Sequence, residues 1–338
     1  MGYSGAQGVK KMLKAREYFP AVGRFGAKWL PQDIAGMLGL PYIGEIFYVD
    51  AANGNDSTNG GKSQNDAFAT VYKAESMLTD YSHDVVVLVP GANGATQEAN
   101  AITWDKNYCH LIGNAAPTQI GMRARMDFIT DETDPCMTIS GSGCIFNNVK
   151  LETTQASNDV LVNMTGDRNY FANVMFQGIS NATAGDDASA RCLTLTGSHE
   201  NTYDGCTFGN DTIQRSTTNA TVDFAGASKN LFRDCLFMMN ADNVGPVHVV
   251  STGATGCSGF NEFNNTKFIA KWTNKADQIT ANFNLSAQTN SAWILMSGSQ
   301  LSIGADDWEA VASNILYFEQ KMDTNPGTYA GLGINNVV

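Results

Sequence analysis

Chemistry on this chain would have to come first from its carboxylates. Cleaving a glycosidic bond takes two of them, about 5–5.5 Å apart for retention of configuration or about 6.5–9.5 Å for inversion. Asp186 with Asp187, Asp306 with Asp307, and the cluster Asp131, Glu132 and Asp134 are the candidates. Neighbours in sequence rarely face one substrate, and Asp186 and Asp187 stand in the stretch NATAGDDASA, where solvated turn carboxylates are the default reading. His83, His110, His199 and His248 form no local pair, so neither a metal set nor a triad emerges. The seven cysteines (109, 136, 144, 192, 206, 235 and 257) contain no CxxC pair, which argues against zinc. They read as small buried apolar side chains of a chain folded in a reducing cytoplasm. No Gly-x-Ser-x-Gly elbow follows a strand, and sequons such as Asn163-Met164-Thr165 carry weight only behind a secretory signal. No catalytic residue, cofactor or metal site is expected. The chain is read as a non-enzyme, with loops that align distant acids the route by which hydrolase or lyase activity stays open.

Whatever these side chains do, a framework must position them, and composition narrows it. A chain of 338 residues makes one large domain or two small ones. Charged residues amount to 16%, so the polar surface must come from Asn, Thr, Ser, Gly and Gln. That mixture disfavours long exposed helices and favours turns and short strands. The net charge of −12 argues against a nucleic-acid partner, because phosphate binding needs clustered Lys and Arg. No signal peptide is read at the start, where Gly and Pro interrupt the sequence. No run approaches the roughly 18 apolar residues of a membrane span, so no membrane partner is expected.

Residues 1–45 differ from everything after them. They hold six basic groups (Lys10, Lys11, Lys14, Arg16, Arg24, Lys28) and three acidic ones (Glu17, Asp33, Glu45), a net of +3 that leaves −15 for the rest of a chain totalling −12. Val9 to Tyr18 can form a short helix that Pro20 ends. Beyond it Gly23, Gly26, Pro31, Gly36 and Gly39 break up Phe25, Trp29, Leu30, Ile34, Met37, Leu38 and Leu40. Such a segment has apolar groups to bury but is too interrupted to build its own core. It either caps the first turn of the body or docks on another protein, and the basic arm on an acidic body favours docking. Lys10, Lys11, Lys14, Arg16, Phe19, Arg24, Phe25, Lys28, Trp29 and Leu30 are the docking candidates.

The body opens with Ile46 to Asp50 as a strand, followed by the polar turn Ala51 to Asp56. Ala67 to Leu78 reads as a helix, with Phe68, Val71, Ala74, Glu75 and Leu78 at helical spacing. Val85 to Val89 is a continuous apolar run of the kind found in parallel sheets. The order FYVDAANGNDSTNGG…AFATVYKAESML…DVVVLVPG…NYCHLIGN, over residues 46–114, resembles the opening module of pectin-lyase-like right-handed parallel β-helix proteins. The resemblance implies an opening strand and capping helix at 46–83, a parallel β-helix at 84–305 and a C-terminal cap at 306–338, the last resembling the end of pectinesterase β-helices. It does not extend to the family's chemistry. Polygalacturonases of this fold type carry Gly-His-Gly and Arg-x-Lys, and neither tripeptide is present. Nor is there a signal for the calcium-binding Asp cluster and Arg base of the lyases, the body's arginines being few (123, 125, 168, 191, 215, 233).

One pattern recurs five times: CIFNNVKL from Cys144, NYFANVMF from Asn169, NTYDGCTF from Asn201, NLFRDCLF from Asn230 and NEFNNTKF from Asn261. Its aromatics fall at 146, 171, 203, 232 and 263, at spacings of 25, 32, 29 and 31. A constant motif at a loosely variable period is the mark of a solenoid, whose outward loops vary in length. Phe146, Phe171, Tyr203, Phe232 and Phe263 should stack inside as one column. Val149, Val174, Cys206, Cys235 and Thr266 should form a second column, and Leu151, Phe176, Phe208, Phe237 and Phe268 a third.

The fold class expected is therefore all-β, a right-handed parallel β-helix with an N-terminal arm and a short capping helix. The function expected is that of a structural protein of a bacteriophage particle. A capsid decoration protein fits best, docked on the major capsid protein or another virion protein through residues 1–45, homotrimeric, assembled in the host cytoplasm and residing in the virion. The alternative is a tailspike or fibre that binds or cleaves a host surface glycan, with Trp272, Trp293 and Trp308 as candidate contacts, although tryptophans more often cover a core or an oligomer contact.

Overall fold

The computed structural model describes residues 36, 38–40, 43–90, 94–131, 133–310 and 315–319. The chain divides between Ile43 and Gly44. In the body, short strands repeat in the order sheet A, sheet B, sheet C, then A again. Sheet A has ten strands, from Ile46–Asp50 to Leu316–Phe318. Sheet B has eight, from Thr96–Glu98 to Leu301–Ile303, and sheet C has eight, from Ile102–Trp104 to Ala305–Glu309. Each interior strand pairs in parallel with its counterparts one coil earlier and one coil later, and the strands at the ends of each sheet have one such neighbour. This is a right-handed parallel β-helix, and the handedness is the one that parallel crossovers take.

The repeat motif folds as its spacing requires. Phe146, Phe171, Tyr203, Phe232 and Phe263 form one internal column, with ring centroids 4.8, 4.8, 4.7 and 4.7 Å apart and planes within 10° of parallel. Those separations match the spacing of adjacent strands, about 4.7–4.9 Å, so each ring sits one coil above the last. Phe176, Phe208, Phe237 and Phe268 continue above Leu151 at 5.0, 4.8 and 4.8 Å. Val149, Val174, Cys206, Cys235 and Thr266, all buried, lie between the two columns. Sheet C closes the core with Met137, Val162, Leu193, Val222, Val249 and Phe283 in register. All seven cysteines are buried and unbridged. Burial pushes the thiols of Cys109, Cys136 and Cys257 up to about 12, which keeps them protonated and inert.

The first residue of the motif has a role that the repeat alone does not reveal. Asn169, Asn201, Asn230 and Asn261 are buried. Each Oδ1 accepts the backbone N–H of the residue one coil earlier: Cys144 (2.7 Å), Asn169 (2.8 Å), Asn201 (3.0 Å) and Asn230 (3.2 Å). Each Nδ2 donates to a carbonyl of that earlier coil, on Gly141, Gly166, Ser198 and Ala227. The ladder satisfies backbone groups that the turn into sheet A leaves without strand partners.

Two expectations change at the ends. The helix expected over Ala67–Leu78 shortens to Val71–Glu75. Phe68 is instead extended: its N–H donates to Tyr48 O, and its carbonyl accepts from Asp50 N. Thr70 caps the helix through Lys73 N, and the buried Glu98 carboxylate accepts Val71 N (2.9 Å) and Tyr72 N (3.1 Å). Val71, Ala74 and Leu78 bury against the first coils, so the element still covers the core's end. At the other end, the expected boundary at 305/306 falls inside the strand Ala305–Glu309, and Leu316–Phe318 adds a further rung to sheet A. The turn expected at Asn325-Pro326-Gly327 lies outside the described residues.

Candidate functional site

The turn from sheet C into sheet A places one residue per coil in the left-handed region: Tyr81, Tyr108, Gly143, Arg168, Glu200 and Lys229, with φ between 56 and 70°. The conformation is held from coil to coil. Tyr81 N donates to Asn107 O (3.0 Å), Tyr108 N to Ser142 O (2.9 Å), Gly143 N to Asp167 O (3.1 Å), Arg168 N to His199 O (3.0 Å) and Glu200 N to Ser228 O (3.1 Å). The result is a ridge of outward side chains, one strand spacing apart. Tyr81 and Tyr108 open it, 63% and 42% exposed, with rings 5.7 Å apart. Gly143 leaves room for the Tyr108 ring, which a Cβ there would meet at 2.5 Å. Glu200 then takes Arg168 (2.7 Å) and Lys229 (3.2 Å) as ion-pair partners on an exposed surface. Two further exposed aromatics follow, Phe260 and its strand neighbour Trp293, 40% and 47% exposed. Exposed aromatics beside charged hydrogen-bonding groups are the equipment for gripping a sugar ring or a partner surface.

Beside this ridge the structure makes a histidine pair that sequence neighbourhood does not show. His83 Nδ1 and His110 Nε2 are 3.1 Å apart, because the residues lie one coil from each other. His110 Nδ1 accepts Ile145 N (3.0 Å), so a neutral His110 donates from Nε2 to His83. Burial, followed by the neighbouring His83, pushes His110 down to about 3.

The solvent face of sheet A carries a second polar constellation. The Asp204 carboxylate, 5% exposed as a residue, accepts from Tyr170 Oη (2.9 Å) and Arg233 Nη2 (2.8 Å). Asp204 holds the Arg233 guanidinium firmly protonated, while burial and then the Asp204 charge push the Tyr170 phenol up. Further along the face Asn264 Nδ2 donates to Ser297 Oγ (2.7 Å), which donates to Glu262. On sheet B, Glu152 pairs with Lys150 and, at 3.7 Å, with Arg125. Beside them burial, followed by the Glu152 charge, pushes Asp127 up to about 6.

The carboxylates singled out from the sequence have local partners. Asp131 accepts Ser157 N (2.7 Å), Asp134 accepts Val160 N (2.7 Å), Asp186 accepts Ser216 Oγ, Asp187 accepts Ser189 N (2.6 Å), and Asp306 accepts Gln278 Nε2 (2.7 Å). Glu132 lies outside the described residues. Stacking does bring distant acids into each other's field: Asp134 and Asp159 are both raised, mainly by burial and also by Asp187. Among the described residues no three His, Cys, Asp or Glu side chains converge to hold a metal ion.

The three tryptophans do not share one groove. Trp308 packs edge-on against Phe268 (5.8 Å) and Phe318 (5.2 Å), covering the core, and Trp272 lies over Gly304. Trp293 belongs to the ridge. The docking candidates Lys10 to Leu30 lie outside the described residues. The ridge itself escaped the sequence reading, although its signal was present. From Gly143 onward each of its residues stands immediately before a repeat: Gly143, Arg168, Glu200 and Lys229 precede Cys144, Asn169, Asn201 and Asn230.

No protein-family model matches this chain, and no curated protein matches it. Solved structures do. A pectin methylesterase from Aspergillus niger is 14% identical, with a TM-score of 0.48 over 78% of this chain and 92% of that one. Pectin methylesterase PemA from Erwinia chrysanthemi is 12% identical, with a TM-score of 0.47 over 80% and 92%. Pectate lyase Pel9A is 15% identical, with a TM-score of 0.45 over 80% and 82%. These are enzymes, and that overturns the expectation that the chain is a non-enzyme, which rested on missing motifs. The likeness assigns no reaction to this chain.

Proposed function

We propose that this chain is a structural protein of a bacteriophage particle, a capsid decoration subunit docked through residues 1–45 with its β-helical body outward. The observation that carries the reading is that charge and contacts both divide near the start of the body. A segment of net +3 precedes a body of net −15, and the chain divides between Ile43 and Gly44. The body has its own continuous core from Phe47 to Leu316, and the reading assigns residues 1–45 to docking on an acidic partner, the major capsid protein or another virion protein. Three copies side by side complete the proposed subunit. The test is incorporation. Particles assembled with full-length protein retain it through gradient purification, and particles assembled with the 46–338 fragment do not. Retention of the fragment would overturn the reading.

A second reading, a tailspike or fibre that engages a host surface polysaccharide, is favoured by the exposed ridge. Tyr81, Tyr108, Phe260 and Trp293 offer stacking faces, and Arg168, Glu200 and Lys229 between them offer hydrogen bonds. Host polysaccharide titrated by calorimetry should bind wild type, and Trp293→Ala should weaken binding about tenfold, in line with the loss of one aromatic contact. Equal binding by both proteins would remove the ridge from this reading.

A further inference from the structure

One cation lies inside the solenoid. Arg215 ends the sheet B strand Thr207–Arg215 and has no solvent exposure. Its Nη1 donates to Thr221 Oγ1 (2.9 Å), and its Nη2 has no hydrogen-bond partner. Among the described residues no carboxylate contributes to its electrostatics. The Cys192 thiol and Arg191 are the groups beside it, and Asp223, close by in sequence, is bound to Arg191 (3.4 Å) and Thr252. Thr221 stands on sheet C between the paired residues Ala220–Val247 and Val222–Val249, which sets it next to His248. His248 is fully buried and lacks partners on both ring nitrogens, its ring 6.3 Å from Phe237 and 5.7 Å from Phe268. Burial and then the Arg215 cation keep the imidazole neutral, so it offers one N–H donor. Glycine at 209 lets the guanidinium fit, since a Cβ there would meet Met238 O at 2.2 Å and Arg215 Nη2 at 3.1 Å.

A guanidinium cannot shed its proton, and a charge buried in an apolar interior needs a counter-charge. Two unmet donors on adjacent coils, one of them cationic, select an anion small enough for a corner between strands. We infer that the corner where sheets B and C meet is a binding site for a small monovalent anion of the halide class, held by Arg215, the Thr221 hydroxyl and the His248 N–H. The ion neutralises the solenoid interior and ties successive coils together.

The direct test is a bromide-soaked crystal of the full chain. An anomalous peak within hydrogen-bonding distance of Arg215 Nη2 is expected; a corner holding water alone, without anomalous signal, overturns the inference. In solution, chloride replacing gluconate at constant ionic strength should raise the melting temperature, on the order of 2–3 °C per tenfold increase once the site is saturating. Arg215→Met, which removes the charge and keeps the volume, should fold and lose that dependence. A chloride response equal in both proteins would also overturn the site.

Discussion

Tyr203 and Phe232, 29 residues apart in sequence, stack with ring centroids 4.7 Å apart and planes 10° from parallel. That relationship links the repeat to the fold: one repeat is one coil, and one coil is one strand spacing. Truncating a ring inside the column leaves a cavity between two others. Phe232→Ala should therefore destabilise the body by about 3–5 kcal/mol, read as a fall in the denaturant midpoint. An unchanged midpoint would mean that the column carries no packing energy.

The asparagine ladder makes a separate prediction. Asn201 accepts Asn169 N and donates to Gly166 O, both buried. Asn201→Ala strands a donor and an acceptor inside the solenoid and should cost about 2–4 kcal/mol, from roughly 1–3 kcal/mol per buried unsatisfied group. Asn100→Ala, at an exposed position, serves as the comparison, and equal midpoints for the two variants would count against the ladder.

Acid should act through His110. Its folded value of about 3 lies below the ordinary 6.5, so the unfolded chain binds more protons between those values. The stability that the neutral ring permits is present above pH 6.5 and is lost as the pH falls towards 3. His110→Gln, which retains polarity without titrating there, should flatten the stability profile across that window. A profile equally steep in the variant would show that other groups set it.

Asp127 runs the other way. Its folded value of about 6 exceeds the ordinary 3.8, so the folded chain binds the extra proton, and stability falls as the pH rises through 6. Asp127→Asn should raise the melting temperature at pH 8 and leave it nearly unchanged at pH 4. A uniform shift at both values would point to packing instead of charge.

Much of this architecture is readable in the sequence because a solenoid writes itself there. The aromatic columns follow from 146, 171, 203, 232 and 263, and the parallel sheets from runs such as Val85–Val89. What stayed hidden depends on the coil period acting between positions that are not alike. His83 and His110 meet because the coil register sets Val85, two residues after His83, beside His110, and Tyr108, Arg168, Glu200 and Lys229 share a ridge through backbone conformation, with no common chemistry. Arg215 gave no signal, since nothing in its neighbourhood distinguishes a buried arginine from a surface one. The shortened helix at Val71–Glu75 shows the reverse limit: helical spacing at Phe68 yielded to the strand partners that Tyr48 and Asp50 offer.

The central functional claim is that residues 1–45 hold an outward β-helical body on a virus particle. A cryo-EM reconstruction of particles containing this chain tests it most directly. The account predicts trimers of the body standing on the capsid lattice, with density for residues 1–45 buried in the shell. Particles lacking the chain, or bodies attached through their sheets with residues 1–45 away from the shell, would contradict it.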